Sequence, residues 1–102
     1  LRFCTAYPTD IPNNNSGIDV CQTSSGALVL ALNPVGGNWG ARTPLALYLS
    51  RDGGKSFAPW CTLADAPGEY SYPSLFADRN RVYFSYTHNR INIAYGYADL
   101  EE

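Results

Sequence analysis

Short apolar segments recur along the chain, and their length and spacing constrain its fold more than any other feature. Each is too short for a typical helix, and Gly, Pro and Asn fill the intervals between them. Alternation is visible in places, with Ile18 and Val20 on one face and Asp19 and Cys21 on the other. A spacing of about 10 to 15 residues predicts an antiparallel meander without helices. The segments lie at residues 2–7, 18–22, 27–32, 44–50, 58–64, 70–76, 81–89 and 91–100.

The segments fall into groups the size of propeller blades. Residues 18–64 supply four strands, residues 70–100 supply three, and the N-terminus supplies one more. About 52 residues separate the first strands of the two groups, a spacing typical of blades. We therefore predict an all-β fold of four-stranded antiparallel blades, about two per chain. The chain is then one propeller segment, with an outer strand at 1–8, a first blade at 17–65 and three strands of a second blade at 69–100.

Length and charge limit the classes of function. A chain of 102 residues can bury one small core and forms at most one domain. With seven basic and nine acidic residues and no basic run, it is not expected to bind nucleic acid. No apolar stretch approaches the roughly 20 residues of a transmembrane helix, and the N-terminus lacks a signal-peptide pattern. We expect a soluble chain, and the compartment stays open.

The three cysteines, Cys4, Cys21 and Cys61, do not have the spacing of a zinc site. Buried free thiols are the favoured interpretation, and one disulfide with a spare thiol is the alternative. A cysteine nucleophile paired with His88, the one histidine, has no local support. No dense carboxylate loop argues for calcium. We therefore predict neither a metal nor a cofactor.

The stretch "SRDGGKSF" between two predicted strands has the pattern S-x-D-x-G-x-x-F, formed by Ser50, Asp52, Gly54 and Phe57. The side chains of Ser50 and Asp52 can bond the amide groups of the turn, and Gly54 can adopt a positive φ. The Phe57 side chain can pack beneath this turn. Nothing in the pattern requires a ligand, so we interpret it as a structural turn.

This turn resembles the Asp box that joins the third and fourth strands of a blade in sialidases and related propellers. As in sialidases, an arginine, Arg42, lies eight residues before Ser50, and Tyr72 lies in a "YPSLF" segment about one strand later. A sialidase-like subset, the BNR-repeat or Asp-box proteins, is more similar still. The resemblance covers essentially the whole chain and implies the C-terminal third of a six-bladed propeller. Its segments here are "IPNNNSGID" (11–19), "ARTPL" (41–45), "PGEYSYP" (67–73) and "YTHNRINI" (86–93).

The resemblance implies a glycosidase site for an acidic sugar. Arg42 would grip the substrate carboxylate, a task that suits a planar and permanently charged guanidinium. Tyr72 would be the nucleophile, and a phenol with a pKa of about 10 needs a carboxylate base. Asp19 is the candidate base, because it lies on the first strand of the preceding blade. Tyr70 and Arg90 complete the predicted set as substrate-binding residues.

Ordinary structural interpretations stand beside these roles. Arg42 could be a surface residue before a strand, and Arg90 could be a solvated residue of a polar turn. Tyr70 and Tyr72 could pack in a sheet like the other tyrosines. Strand alternation puts Glu69 on the side opposite to both tyrosines, which makes it a poor base for Tyr72.

Three residues that a sialidase needs have no counterpart in this chain: two further arginines and an aspartic acid/base. One copy is therefore not expected to form a complete active site. The chain could be the C-terminal portion of a sialidase-like hydrolase, or a non-catalytic module that binds a glycan. In the second case two-blade chains would assemble as a homo-oligomer, with three copies closing a six-bladed ring. The expected partners are a glycan and either the rest of a longer propeller or further copies.

Overall fold

The structure, a computed structural model, is all-β over the residues that it describes, which are Thr9, 11–13, 17–35 and 43–100. This confirms the all-β part of the predicted fold class. None of these residues forms a helix, so no helix in this part of the chain could cross a membrane. The predicted strand at 1–8 lies outside the described residues. The seven strands are β1 (Asp19–Gln22), β2 (Leu28–Leu32), β3 (Leu45–Ser50), β4 (Ala58–Ala64), β5 (Tyr70–Asp78), β6 (Arg81–His88) and β7 (Asn92–Asp99).

The first four strands form one antiparallel sheet in the order β1-β2-β3-β4, which we call sheet A. The unbroken apolar runs of β2 and β3 lie at its centre, as expected for strands covered on both faces. The pairing of β3 with β4 is irregular at two places, between Leu45 and Ala46 and between Leu47 and Tyr48. Sheet A therefore ends in a distorted outer strand.

The last three strands form a second antiparallel sheet, β5-β6-β7, which we call sheet B. Its β6–β7 turn has positive φ at Asn89 (52°) and Arg90 (58°), and the Ile91 N–H donates to the His88 carbonyl. These are the features of a type I′ turn, which matches the twist of a hairpin. The register of β5 with β6 shifts between Ser71 and Ser74. That shift is a β-bulge, and it determines the geometry described below.

The core lies between the two sheets. Val29, Ala31, Leu47 and Val82 are fully buried there, and strands β1 and β2 contact β5. A hydrogen bond between two loops also joins the sheets. The Ser24 N–H of the β1–β2 loop donates to the Arg79 carbonyl of the β5–β6 turn at 3.0 Å. The packed sheets fix how the ends of β1, β3 and β5 lie relative to one another.

Two of the cysteines pack at the margin of this core. Cys21 and Cys61 are half-buried free thiols, and burial raises the pKa of both. This agrees with the favoured interpretation for these two residues. Cys4 lies outside the described part of the chain.

Candidate functional site

Tyr72 has an unusual backbone conformation. Its φ is 51°, in the left-handed region, and it directly precedes Pro73, a position that normally favours extended backbone. It lies within the β5 bulge, where Tyr72 and Pro73 stand opposite a single residue of β6. The bulge turns the Tyr72 side chain outward, and 67% of its surface is exposed.

Tyr70 is in the opposite situation, although only one residue separates it from Tyr72. It is 5% exposed, and its ring stacks on His88 with centroids 5.3 Å apart and planes 8° apart. Its edge meets the ring of Tyr86 at 6.0 Å. Burial, with Tyr70 as a smaller cause, raises the pKa of Tyr86. Strict alternation put Tyr70 and Tyr72 on one side of the strand. That prediction is wrong, because the bulge begins between the two residues.

Asp19 joins the two sheets beside Tyr72. Its Oδ2 accepts the Leu75 N–H at 2.7 Å, and its Oδ1 accepts the Val20 N–H at 2.9 Å. Leu75 is three residues past Tyr72 on β5. A Cβ built on Gly17, two residues before Asp19, would lie 3.6 Å from Cδ1 of Tyr72. The segment just before β1 therefore lies against the Tyr72 ring, and the Asp19 carboxylate at the start of β1 bonds to the same strand.

Arg90 is engaged by a carboxylate of its own chain. Its Nε donates to Glu69 Oε2 at 2.9 Å and its Nη2 donates to Glu69 Oε1 at 3.0 Å, a bidentate pair. The Glu69 N–H also donates to Asn89 Oδ1 at 2.7 Å, and the Asn89 N–H donates to the Glu69 carbonyl at 2.7 Å. Glu69 and the β6–β7 turn thus form one hydrogen-bonded unit. The sequence predicted Arg90 as a ligand but gave no sign of this pairing.

Asn33 is a residue of the site that the sequence did not reveal. It is fully buried, and its Nδ2 donates to the Pro44 carbonyl at 3.0 Å and to the Tyr70 carbonyl at 3.0 Å. Arg42 lies outside the described residues, but Pro44 follows it by two positions and Tyr70 precedes Tyr72 by two. One amide group therefore ties the chain just after Arg42 to the chain just before Tyr72. The "NP" pair at the end of an apolar run was the one available signal.

Ser71 is a second residue that the sequence did not single out. It is 1% exposed, and its Oγ has no hydrogen-bond partner within the described ranges. A buried hydroxyl without a hydrogen-bond partner is unusual in a folded protein, and a bound water molecule is a common explanation. It lies between Tyr70 and Tyr72, so the bulge holds an unusual polar group as well as an unusual backbone.

The Asp-box turn lies at the other end of β3 from Pro44, about 20 Å away along a six-residue strand. Ser50 Oγ accepts the Gly54 N–H at 2.9 Å and donates to Asp52 Oδ1 at 2.8 Å. Asp52 also accepts the Ser56 N–H at 2.9 Å. Gly54 has a φ of 91°. These bonds lie within the turn, and Phe57 is half-buried beside it.

The bonds to Asp52 have a pH consequence that can be measured. Hydrogen bonds from Ser56 and Ser50 lower the pKa of Asp52 from its usual 3.8 to about 2. Because the folded pKa is the lower one, the stabilisation is present above the unfolded pKa and is lost as pH falls toward 2. We expect Asp52→Asn to be less stable than the wild type at pH 5 to 7. The difference in the free energy of unfolding between the two proteins should narrow as pH falls from about 4 to 2.

Urea unfolding at several pH values would measure this gap, with Asp65→Asn as the control. Asp65 is an exposed aspartate outside the turn. A gap between wild type and Asp52→Asn that does not change between pH 5 and pH 2 would contradict the assignment.

A depression of about 600 Å³ lies at the Asp-box end, lined in part by Phe57, Pro59 and Trp60. It is separated from Tyr72 by the length of β3, so it is not part of the same site. Over the described ranges, no cluster of three His, Cys, Asp or Glu side chains could hold a metal ion. Of the predicted residues, Asp19 thus bonds to the strand that carries Tyr72, and Arg90 is paired with Glu69.

Comparison with known proteins is consistent with this architecture. The model of the BNR repeat-like domain matches residues 1–85. No curated protein and no solved structure matched the chain. The matched region includes all of sheet A, the Asp-box turn and the bulge with Tyr72. Because the match covers well over half of its length, the chain belongs to the BNR repeat-like domain family.

Proposed function

We propose that this chain is the C-terminal portion of a sialidase-like glycoside hydrolase that acts on an acidic, carboxylate-bearing glycan. Its two sheets would be consecutive blades of a propeller. Membership of the BNR repeat-like family supports the general class. The residues around the β5 bulge support the particular chemistry.

The backbone of Tyr72 is the observation that carries the proposal. A left-handed conformation costs an L-residue about 1–2 kcal/mol, and a following proline disfavours it further. Such conformations cluster at active sites and ligand clamps, where the surrounding structure holds them. The side chain so placed is a phenol, 67% exposed, with a carboxylate on the neighbouring strand. A tyrosine nucleophile needs that combination.

The proposed reaction uses the phenol and the carboxylate in sequence. Tyr72 Oη attacks the anomeric carbon, Asp19 takes the phenolic proton, and the bond to the leaving group breaks. An acid from outside this chain protonates the leaving group. Water then hydrolyses the tyrosyl glycoside and restores both residues. Arg42 would bind the substrate carboxylate from the segment that Asn33 ties to Tyr70.

A second candidate function is glycan binding without turnover. The observation that favours it is that two of the predicted site residues, Asp19 and Arg90, are already engaged. Both Asp19 oxygens accept backbone N–H groups, and Arg90 is held by Glu69. A carboxylate so occupied is better suited to fixing the strands than to moving protons. In this case Tyr72 would contact a sugar. Copies of the chain would assemble into a closed propeller, which a single copy cannot form.

The experiment compares release of the fluorophore from a glycoside with binding of the glycan. The chain and its full gene product would be incubated with a fluorogenic sialoside, a uronide and a rhamnoside. We expect release from an acidic substrate and none from the neutral rhamnoside. Binding of acidic glycans without release would instead support the second candidate. A protein that neither releases nor binds any acidic glycan would contradict both.

A further inference from the structure

The β6–β7 turn carries an arginine at a position that arginine does not favour. Both central residues of a type I′ turn need a positive φ, and Asn-Gly is the preferred pair. Here the pair is Asn89 and Arg90, with φ of 52° and 58°. Asparagine tolerates this conformation, whereas a long side chain adopts it at a cost. Such costs cluster at ligand sites, so the side chain of Arg90 is a candidate for a functional role.

The turn holds the Arg90 guanidinium in one orientation. Of the five N–H groups of an arginine side chain, Glu69 accepts two, one from Nε and one from Nη2. The Glu69 backbone is fixed in turn by its two bonds of 2.7 Å to Asn89. Gly68 allows this close approach, because a Cβ there would lie 2.8 Å from Asn89 Oδ1. The Arg90 side chain is 72% exposed, so its remaining N–H groups are presented to solvent in a fixed geometry.

These donors carry little net charge. The Glu69 carboxylate offsets the Arg90 guanidinium, so the pair as a whole is neutral. A second carboxylate that approached Arg90 would also approach Glu69, and the two like charges would repel each other. A sugar hydroxyl could accept the same N–H groups without that repulsion. The pair is therefore suited to uncharged oxygen atoms rather than to a second acidic group.

The turn lies close to the candidate site along β5. Glu69 precedes Tyr72 by three residues, so their Cα atoms are at most about 11 Å apart. His88, which directly precedes the turn, stacks on Tyr70 at 5.3 Å. A glycan longer than one sugar, held at Tyr72, can therefore extend to Arg90.

We propose that the Glu69–Arg90 pair selects the sugar that lies next to the reacting one, accepting a neutral sugar and disfavouring a second acidic one. The inference rests on the proposed function, in which Arg42 binds the single substrate carboxylate. The substrate class is then an acidic sugar linked to a neutral sugar, rather than a chain of consecutive acidic sugars. Glu69 acts as a specificity-determining residue through the charge that it offsets.

The test compares the affinities of the full gene product for two ligands, a sialyl galactoside and a disialoside, together with the uronic acid counterparts of both. The wild type should bind the singly acidic ligand about threefold more tightly or better. Glu69→Gln leaves the Arg90 charge without its carboxylate, so it should raise the affinity for the doubly acidic ligand about threefold to fivefold. It should change the affinity for the singly acidic ligand by less than about twofold. The gain should disappear in about 0.5 M salt, which screens exposed charges.

Asp99→Asn is the matched control, because it removes the same charge from a similar pair. Asp99 accepts two bonds from Arg81, at 2.7 and 3.1 Å, and about 23 Å of strand β6 separates Arg81 from the β6–β7 turn. Its affinities for both ligands should match those of the wild type. Arg90→Gln is the second variant, and serves if Glu69→Gln does not fold. It leaves the Glu69 charge unpaired and should weaken binding of the doubly acidic ligand about threefold.

Three results would overturn the inference. Equal affinity of the wild type for both ligands would do so while leaving the proposed function intact. So would a Glu69→Gln protein that loses stability but keeps the wild-type ratio of affinities, because the pair would then only fix the turn. Binding of no acidic glycan at all would remove the proposed function and this inference together.

Discussion

Replacing Tyr72 by phenylalanine should lower release from an acidic aryl glycoside by about two orders of magnitude or more, if the chain acts as proposed. The substitution removes the one atom that would attack the anomeric carbon. It keeps the aromatic ring, which packs near Gly17, and leaves the backbone of the bulge unchanged. We therefore expect the free energy of unfolding to change by less than about 1 kcal/mol. Loss of turnover would then not be a loss of fold.

Tyr95→Phe is the matched control for this experiment. Tyr95 is as exposed as Tyr72, at 72% against 67%, but it lies on regular β7 and has no carboxylate from β1 beside it. It should release substrate at the wild-type rate. Equal release by wild type and Tyr72→Phe would remove Tyr72 from the mechanism. Trapping a glycosyl adduct on Tyr72 with a fluorinated substrate would support the nucleophilic role directly.

Most of the strand pattern was predictable because it depends on local sequence. Alternating apolar residues and Gly, Asn and Pro turns gave strands at all seven described positions, with bounds within about two residues. The Asp-box turn was predictable for the same reason, since its hydrogen bonds join residues no more than four positions apart. These features need no knowledge of how the sheets pack.

The candidate site was harder to predict because it depends on one irregularity and on distant contacts. Strict alternation grouped Tyr70 with Tyr72, whereas the bulge buries the first and exposes the second. Pro73 was the available signal, because proline inside a strand usually marks a bulge or an edge. The pair of Glu69 with Arg90 joins positions 21 apart, so it required the hairpin register.

Asn33 is the clearest case of a residue that only the three-dimensional structure reveals, and its replacement should have the largest effect on stability. Its Nδ2 serves two carbonyl groups, one 11 and one 37 positions away, and its side chain has no exposed surface. Asn33→Ala would leave both acceptors without this donor and would open a small void. We expect a loss of about 2–4 kcal/mol in the free energy of unfolding.

Asn33→Asp separates hydrogen bonding from packing. Aspartate has nearly the same shape, but its carboxylate has no hydrogen to donate and would face two carbonyl oxygens. If donation is what stabilises the site, Asn33→Asp should lose at least as much stability as Asn33→Ala at neutral pH. Exposed Asn92→Ala, the control, should change stability by less than about 0.5 kcal/mol. A mild effect of Asn33→Asp beside a severe one of Asn33→Ala would mean that Asn33 acts through its volume, and the link between the Arg42 segment and the Tyr72 strand would then not depend on its hydrogen bonds.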